Sequence, residues 1–229
     1  MKGNRRGTVS DLASLGEVAV ERLCDILDID HIEGNRMKII RMIILLMLLV
    51  AQGLAWGGFE EGLAAAKAGD YATALREWKP LAELGNSSAQ YHLGIMYENG
   101  QGIPQDYKEA VKWYRNAAEQ GHAGAQYNLA LMCRNGQGVP QNDKEAVKWY
   151  REAAEQGYYK AQNNLGLMYG TGLGVPQDYV QAYKWYNIAG ENGDETGTKN
   201  RDIVAEEMTP AQITEAQKLV KEWLEKHQQ

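Results

Sequence analysis

Apolar residues between positions 89 and 121 recur with the spacing of two amphipathic α-helices. The segment AQYHLGIMYENG (residues 89–100) has apolar residues at i, i+4, i+7 and i+8, which are Ala89, Leu93, Met96 and Tyr97. The segment DYKEAVKWYRNAAEQG (residues 106–121) has a second apolar stripe, formed by Ala110, Trp113, Tyr114, Ala117 and Ala118. These two stripes predict a pair of helices joined by a short turn.

The same pattern returns every 36 residues along the chain. A fixed period of this length predicts stacked helix pairs, in which each copy buries the apolar faces of its neighbours. We place three copies at residues 89–124, 125–160 and 161–196. The aligned positions include Trp113, Trp149 and Trp185; Ala89, Ala125 and Ala161; Pro104, Pro140 and Pro176; and Gly121, Gly157 and Gly193.

A shorter copy precedes these three, at residues 56–88. Its glycine, tyrosine and alanine positions have the spacing of a tetratricopeptide helix-turn-helix, with an inner turn four residues shorter than in the later copies; they are Gly62, Gly69, Tyr71 and Ala74. Pro80 lies inside the second predicted helix, and we expect it to kink or split that helix because proline lacks the backbone N–H.

Residues 197–229 predict helices that cap the array. Thr209, Pro210 and Gln212 stand at the N-cap, N1 and N3 positions of a capping box. One apolar stripe follows, made of Ile213, Ala216, Leu219, Val220, Trp223 and Leu224, and the opposite face is charged. A terminal helix with one polar face is what a repeat array needs in order to stop stacking.

The turns NGQGIPQ, NGQGVPQ and TGLGVPQ are rich in glycine but do not predict a phosphate site. A phosphate-binding loop follows a strand and carries Lys-Ser/Thr, whereas these turns follow a helix and lack that dipeptide. Here glycine supplies positive φ angles and proline stiffens the turn. Asp106, Asn142 and Asp178 are predicted to cap the helices that come next, and Gly121 and Gly157 to end them.

The segment 37–55 is typical of a secretory signal peptide. Basic residues follow Met37, an unbroken apolar run spans residues 42–50, and small residues precede a predicted cleavage site after Ala55. The run is short for a membrane span of about 20 residues, although an uncleaved anchor is the alternative. We favour reading residues 1–36 as an upstream misreading of the start, rather than as a real extension. The mature chain is then periplasmic or secreted.

Charge and cysteine content narrow the functional classes. The net charge is −6 and there is no dense basic run, which argues against a nucleic-acid partner. Removal of the signal would leave Cys133 as the one cysteine, without a nearby histidine at catalytic spacing, so a buried apolar thiol is expected. The histidines lack metal-ligand spacing, and no cofactor or metal is predicted.

The pattern A-x-x-x-L-G-x-M-Y-x-x-G-x-G-I/V-P-x-x-x-x-x-A-x-x-W-Y-x-x-A-A-x-x-G resembles the Sel1-like repeat (SLR) family, which is related to tetratricopeptide repeats. The resemblance covers about residues 59–194, with local departures at Ala130, Cys133 and Gly190. It implies an all-α fold, a right-handed α-solenoid of stacked antiparallel helix pairs with a C-terminal capping helix. It also implies a non-enzymatic adaptor, often exported from bacteria, that binds a protein or peptide.

In such an array the first helix of each pair lines a concave groove. The resemblance therefore places the partner-binding residues at Tyr91, Ile95, Glu98, Asn99, Tyr127, Leu131, Arg134, Asn135, Asn163 and Leu167, with Trp56, Phe59, Leu63 and Lys67 extending the groove in the first copy and Thr171 in the last. The repeat core is predicted at Trp113, Tyr114, Trp149, Tyr150, Trp185 and Tyr186. Packing of Tyr91 and Ile95 against neighbouring copies is the alternative to binding.

Two other functions remain open from sequence. One cysteine-rich SLR branch has been proposed to bind or hydrolyse β-lactams, but this chain lacks its paired cysteines and has no S-x-x-K or K-T-G motif. Self-association through an exposed end of the array is the other possibility. Neither predicts an integral membrane span after signal cleavage.

Overall fold

A computed structural model describes residues 43–44 and 57–227 of the 229-residue chain. The chain divides into two units, residues 1–61 and residues 62–229. In the first unit the described residues, 43–44 and 57–61, are helical. The remainder of the predicted signal segment 37–55, its cleavage site, Trp56 and the extension 1–36 lie outside the described residues. Among the described residues, no helix combines the length and apolar character needed to cross a bilayer.

All regular structure within residues 57–227 is helical, which confirms the all-α prediction. Four helix pairs follow one another and two further helices end the chain. The helices are α1 (residues 57–67), α2 (Tyr71–Glu83), α3 (Ser87–Asn99), α4 (Tyr107–Glu119), α5 (Ala123–Asn135), α6 (Asp143–Glu155), α7 (Tyr159–Thr171), α8 (Tyr179–Glu191), α9 (Glu195–Glu206) and α10 (Pro210–His227).

The second helix of each later pair begins at the polar residue expected from sequence. Asp106 Oδ1 accepts hydrogen bonds from the backbone N–H of Lys108 and Glu109, at 2.8 and 3.1 Å. Asn142 and Asp178 each accept one N–H in the same way, at 3.1 and 3.0 Å. These side chains satisfy N–H groups that the first helical turn leaves without a partner.

The turn inside each pair also contacts the preceding pair. Three residues separate α1 from α2, and seven separate α3 from α4, so the later turns are four residues longer, as predicted. The second glycine of each long turn has a φ near +70° and lies against the start of the preceding second helix. A Cβ there would collide with that helix, at Tyr71 for Gly102, Tyr107 for Gly138 and Asp143 for Gly174. The glycines therefore have a structural role in stacking.

Pro80 does not split α2, which runs unbroken from Tyr71 to Glu83, so of the two expected effects, a kink or a split, the split was wrong. Proline removes one hydrogen bond near the helix end. Continuing the helix buries Leu81 and Ala82, and this burial offsets the loss.

Aromatic side chains of the second helices pack on glycines of the first helices. An added Cβ at Gly94 would lie 2.5 Å from the ring of the buried Tyr114, and one at Gly166 would lie 2.7 Å from Tyr186. In the first pair Trp78 fills the same slot against Gly62. Close helix approach at these points puts a large ring in the core of each pair.

The last helix closes the array. α10 packs mainly against α8, and its Trp223 meets the edge of the Trp185 ring with 6.1 Å between centroids. The indole Nε1 of Trp223 also donates to Glu155 Oε2 at the end of α6, at 2.9 Å. Thr209 and Gln212 exchange two backbone-to-side-chain hydrogen bonds at the start of α10, which confirms the predicted capping box. The chain is thus a stack of helix pairs with a C-terminal capping helix.

Candidate functional site

The predicted groove residues lie on the first helices of the second, third and fourth pairs. Asn99 and Asn135 are exposed at the ends of α3 and α5. The others are partly buried; they are Tyr91, Ile95, Glu98, Tyr127, Leu131, Arg134, Asn163 and Leu167. The surface formed by these residues is called the predicted groove below.

Tyr91 joins two helix pairs through its ring. It stacks on His122, which precedes α5, with 4.5 Å between centroids and an angle of 24°. Its other neighbours are His92 at 5.3 Å, edge-on, and the buried Tyr114 at 6.0 Å. Tyr91 thus packs against the next pair, while part of its side chain stays exposed to solvent.

Tyr127 makes the corresponding contacts one repeat later. Its ring lies 5.3 Å from Tyr158, which precedes α7, and 6.0 Å from the buried Tyr150. Tyr158 is followed by Tyr159, which is 39% exposed and lies 6.3 Å away ring to ring. A second cluster of partly open aromatic rings thus lies one pair along the array.

The fourth pair replaces these rings with amides. Asn163 takes the position of Tyr91 and Tyr127, and its Oδ1 accepts a hydrogen bond from Asn200 Nδ2 at 3.0 Å. Leu167 packs against the apolar cluster of the C-terminal helices. The predicted groove therefore changes from aromatic to polar towards the C-terminal end.

Charged residues of the predicted groove are few and of both signs. Glu98 accepts a hydrogen bond from the hydroxyl of Tyr114 at 2.5 Å. Arg134 occupies the same position on α5 and is partly buried. Asn135 Nδ2 donates to Gln137 at 3.3 Å. This surface offers aromatic faces and amide groups, and it has no excess of one charge.

A pocket of about 240 Å³ lies at the N-terminal end of the predicted groove. Its wall is mostly apolar and includes Leu63 and Ile95, and Lys67 also lines it. Aromatic side chains from α2 and α3 complete the wall, with Trp78 stacked on His92 at 4.4 Å. An apolar side chain of moderate size fits this volume.

Burial keeps the titratable rings of this surface neutral. It raises the pKa of Tyr91, with smaller contributions from Tyr158 and Glu98, and raises the pKa of Tyr127. It lowers the pKa of His92 to about 4, with a smaller contribution from His122, and it lowers the pKa of His122 as well. At neutral pH the groove therefore presents uncharged rings with hydrogen-bonding groups.

Sequence reasoning missed a polar ladder made by one buried glutamine in each of the second, third and fourth pairs. Gln126 is 3% exposed, and its Nε2 donates to the carbonyl of Ala118 on the preceding pair at 3.1 Å. Its Oε1 accepts from Gln156 Nε2 at 2.7 Å, at the end of its own pair. Gln90 donates to the carbonyl of Ala82 and accepts from Gln120 in the same way. Gln162 donates to the carbonyl of Ala154 and accepts from Asn192. The recurrence of Ala-Gln every 36 residues was the available signal.

The segment EAVKWYR occurs twice, at residues 109–115 and 145–151, and its charged ends link neighbouring pairs. The Nη2 atom of Arg115, the last residue of the first copy, lies 3.1 Å from Oε1 of Glu145, the first residue of the second copy.

Five of the predicted core residues are buried, namely Tyr114, Trp149, Tyr150, Trp185 and Tyr186. Trp113 differs because it is only partly buried.

Two features of residues 57–227 bear on catalysis, namely the thiol of Cys133 and the placement of metal-ligating side chains. Cys133 is fully buried, and burial raises the pKa of its thiol to about 11, so it is a poor nucleophile. Within residues 57–227 no group of three or more His, Cys, Asp or Glu side chains is placed to hold a metal ion.

Known proteins with this repeat include solved structures. The sequence model of the Sel1 repeat matches residues 87–122, 123–158 and 160–194. A Sel1 repeat protein from Oxalobacter formigenes is 37% identical over 62% of this chain and 58% of its own, with a TM-score of 0.60. The protein c5321, a protective antigen present in uropathogenic Escherichia coli strains and displaying an SLR fold, is 30% identical over 82% of this chain and 49% of its own, with a TM-score of 0.55.

The alignment thus spans about half to three fifths of the length of these two proteins. Comparison with curated proteins gives no significant match. With three matched repeats and stacked helix pairs like those of these two structures, residues 87–194 are an array of Sel1-like repeats.

Proposed function

We propose that the chain is an exported, non-enzymatic scaffold that binds a protein through an extended peptide segment along the predicted groove. Sel1 repeats generally mediate protein–protein interaction, and repeat scaffolds of this kind are generally non-catalytic. Export is proposed from the signal-like segment 37–55. The observation that carries the binding surface is the pair of partly open ring clusters around Tyr91 and Tyr127 on successive first helices.

The chemistry of this surface suits an extended peptide. Tyrosine rings make large contacts at low entropic cost, and they are common anchors in protein interfaces. Exposed amides such as Asn99 and Asn135 can hydrogen-bond a peptide backbone, which has an N–H and a C=O at nearly every residue. The 240 Å³ pocket at the N-terminal end provides a site for one apolar side chain of the partner. Mixed charges at Glu98 and Arg134 disfavour a strongly acidic or basic partner.

The β-lactam alternative is not favoured. It requires a reactive side chain with a base, whereas Cys133 is buried with a raised pKa. Turnover of a chromogenic cephalosporin by the purified chain would contradict the scaffold proposal.

Site-specific photocrosslinking tests the proposed surface. A benzophenone amino acid replaces Tyr127 in the full chain, and the matched control places it at Lys148, which is exposed on the second helix of the same pair. After irradiation in an envelope extract, we expect one defined adduct from position 127 that is absent from position 148. A control that gives the same adduct contradicts the proposed groove, and an adduct only between copies of this chain indicates self-assembly instead.

A further inference from the structure

His122 holds a position in this array that requires a neutral imidazole. It is the N-cap of α5, and its Nδ1 accepts a hydrogen bond from the backbone N–H of Ala125 at 3.2 Å. A ring nitrogen accepts a hydrogen bond only while it is unprotonated, so the charged imidazolium cannot make this cap. Protonation also places a positive charge beside the positive end of the helix dipole.

The helices α3, α7 and α9, which follow the end of a second helix as α5 does, have other residues at this position. Asn86 accepts from the N–H of Ala89 at 2.9 Å and Asp194 accepts from Thr196 at 3.0 Å. Tyr158 makes no side-chain cap hydrogen bond. Histidine is the residue whose charge ordinarily changes between pH 5 and 8, so the start of α5 differs from the other three in this respect.

His122 also forms part of the contact between the second and third pairs. Its ring stacks on Tyr91 of α3, which in turn meets Tyr114 of α4. The titratable groups that face it from α3 are Tyr91 and His92, and the electrostatic effect of His122 on His92 is repulsive when both are charged. The first turn of α5 has no acidic residue, and Glu119 is the nearest carboxylate along the chain, exposed at the end of α4.

We propose that His122 is an acid-sensitive joint between the second and third helix pairs, which is capped and stacked at neutral pH and loosens when the imidazole is protonated. Loss of the cap and the unfavourable helix dipole both act against the protonated form. Attraction between an imidazolium and the Tyr91 ring acts in the other direction, but it leaves the N–H of Ala125 without its acceptor.

The direction of the pH dependence follows from the lowered pKa of His122, whose ordinary value is 6.5. Because the unfolded chain binds the proton more readily than the folded chain, the joint is fully stabilising above about pH 6.5 and weakens as the pH falls below that value. The pH response of the joint does not require the proposed partner.

Nuclear magnetic resonance of the full chain tests the joint without any ligand. At pH 7.5, ¹⁵N shifts of the His122 ring should show an unprotonated Nδ1. Between pH 7.5 and 5.0, hydrogen-exchange protection of the Ala125 amide, corrected for the intrinsic rate, should fall about fivefold as the cap is lost. The variant H122N copies the cap at Asn86 but cannot titrate, and its protection should stay constant.

A second variant separates His122 from its neighbour. H92N copies Asn128, the equivalent residue of the next pair, and retains His122. We expect H92N to keep the pH-dependent loss at Ala125. The proposal is wrong if Nδ1 is protonated at pH 7.5, if H122N loses protection as the wild type does, or if H92N abolishes the loss.

Discussion

Replacing Trp149 with alanine is expected to lower the free energy of unfolding by about 3–5 kcal/mol. The ring is 7% exposed and lies in the main core cluster. Lys148 lies over its ring at 4.9 Å from the centroid, and its Nε1 lies 3.5 Å from Glu145, so alanine removes these contacts as well. Urea unfolding followed by circular dichroism measures the change.

Trp113→Ala is the matched control for this prediction. Trp113 has the same position in the first copy of EAVKWYR but is only partly buried, so its loss should cost clearly less than that of Trp149. Equal costs at the two positions would contradict the assignment of Trp149 to the core, and an unchanged unfolding midpoint for Trp149→Ala would do so more strongly.

Replacing Gln126 with alanine is expected to cost about 1–3 kcal/mol, because a buried side chain loses two hydrogen bonds. The carbonyl of Ala118 loses one donor and the amide of Gln156 loses its acceptor. A hydrophobic residue of similar size, such as leucine, should not restore stability, because it remakes neither hydrogen bond, although the carbonyl of Ala118 keeps its backbone hydrogen bond from Gly121. Differential scanning calorimetry of both variants measures this.

Gln156→Ala serves as the control for the ladder. Gln156 is exposed at the end of α6, and its removal leaves Gln126 still bonded to Ala118. Its cost should therefore stay near 1 kcal/mol, the usual value for one hydrogen bond. If Gln126→Leu is as stable as the wild type, the ladder does not hold the pairs together.

Local features of the fold could be predicted because a few neighbouring residues determine them. Asp106 caps the helix that starts at the next residue, and the turn glycines adopt the positive φ angles that such turns need. The length of each inner turn follows directly from sequence spacing. These features depend on backbone geometry over a few residues, which a single sequence shows.

Contacts between pairs were harder to predict, because the apolar pattern of one helix does not show which polar groups of the neighbouring pair it meets. Gln126 has a polar side chain on a helix, and such a residue usually faces water, so its burial could not be read from the apolar stripe. The link between Arg115 and Glu145 was missed for the same reason, since each charge was considered within its own helix. Both contacts depend on how closely the pairs stack.

The candidate groove was predicted only in outline. The period placed Tyr91 and Tyr127 on one helix face, but it did not show that residues preceding the next helix pack on their rings. His122 and Tyr158 belong to turns, and the helical pattern carries no information on where turn residues point. The role of these rings in binding stays a prediction.

The affinity of groove variants for a selected peptide tests the central claim most directly. Peptides selected on the full chain are measured by fluorescence polarisation against the wild type, the double variant Tyr91→Leu/Tyr127→Leu, and the control Lys112→Ser/Lys148→Ser on the second helices. Circular dichroism confirms that all three fold. We predict that the tyrosine variant binds at least about tenfold more weakly, because anchor residues dominate interface energies, while the lysine variant binds as the wild type does. Unchanged binding by the tyrosine variant, with loss of binding in the lysine variant, would contradict the account.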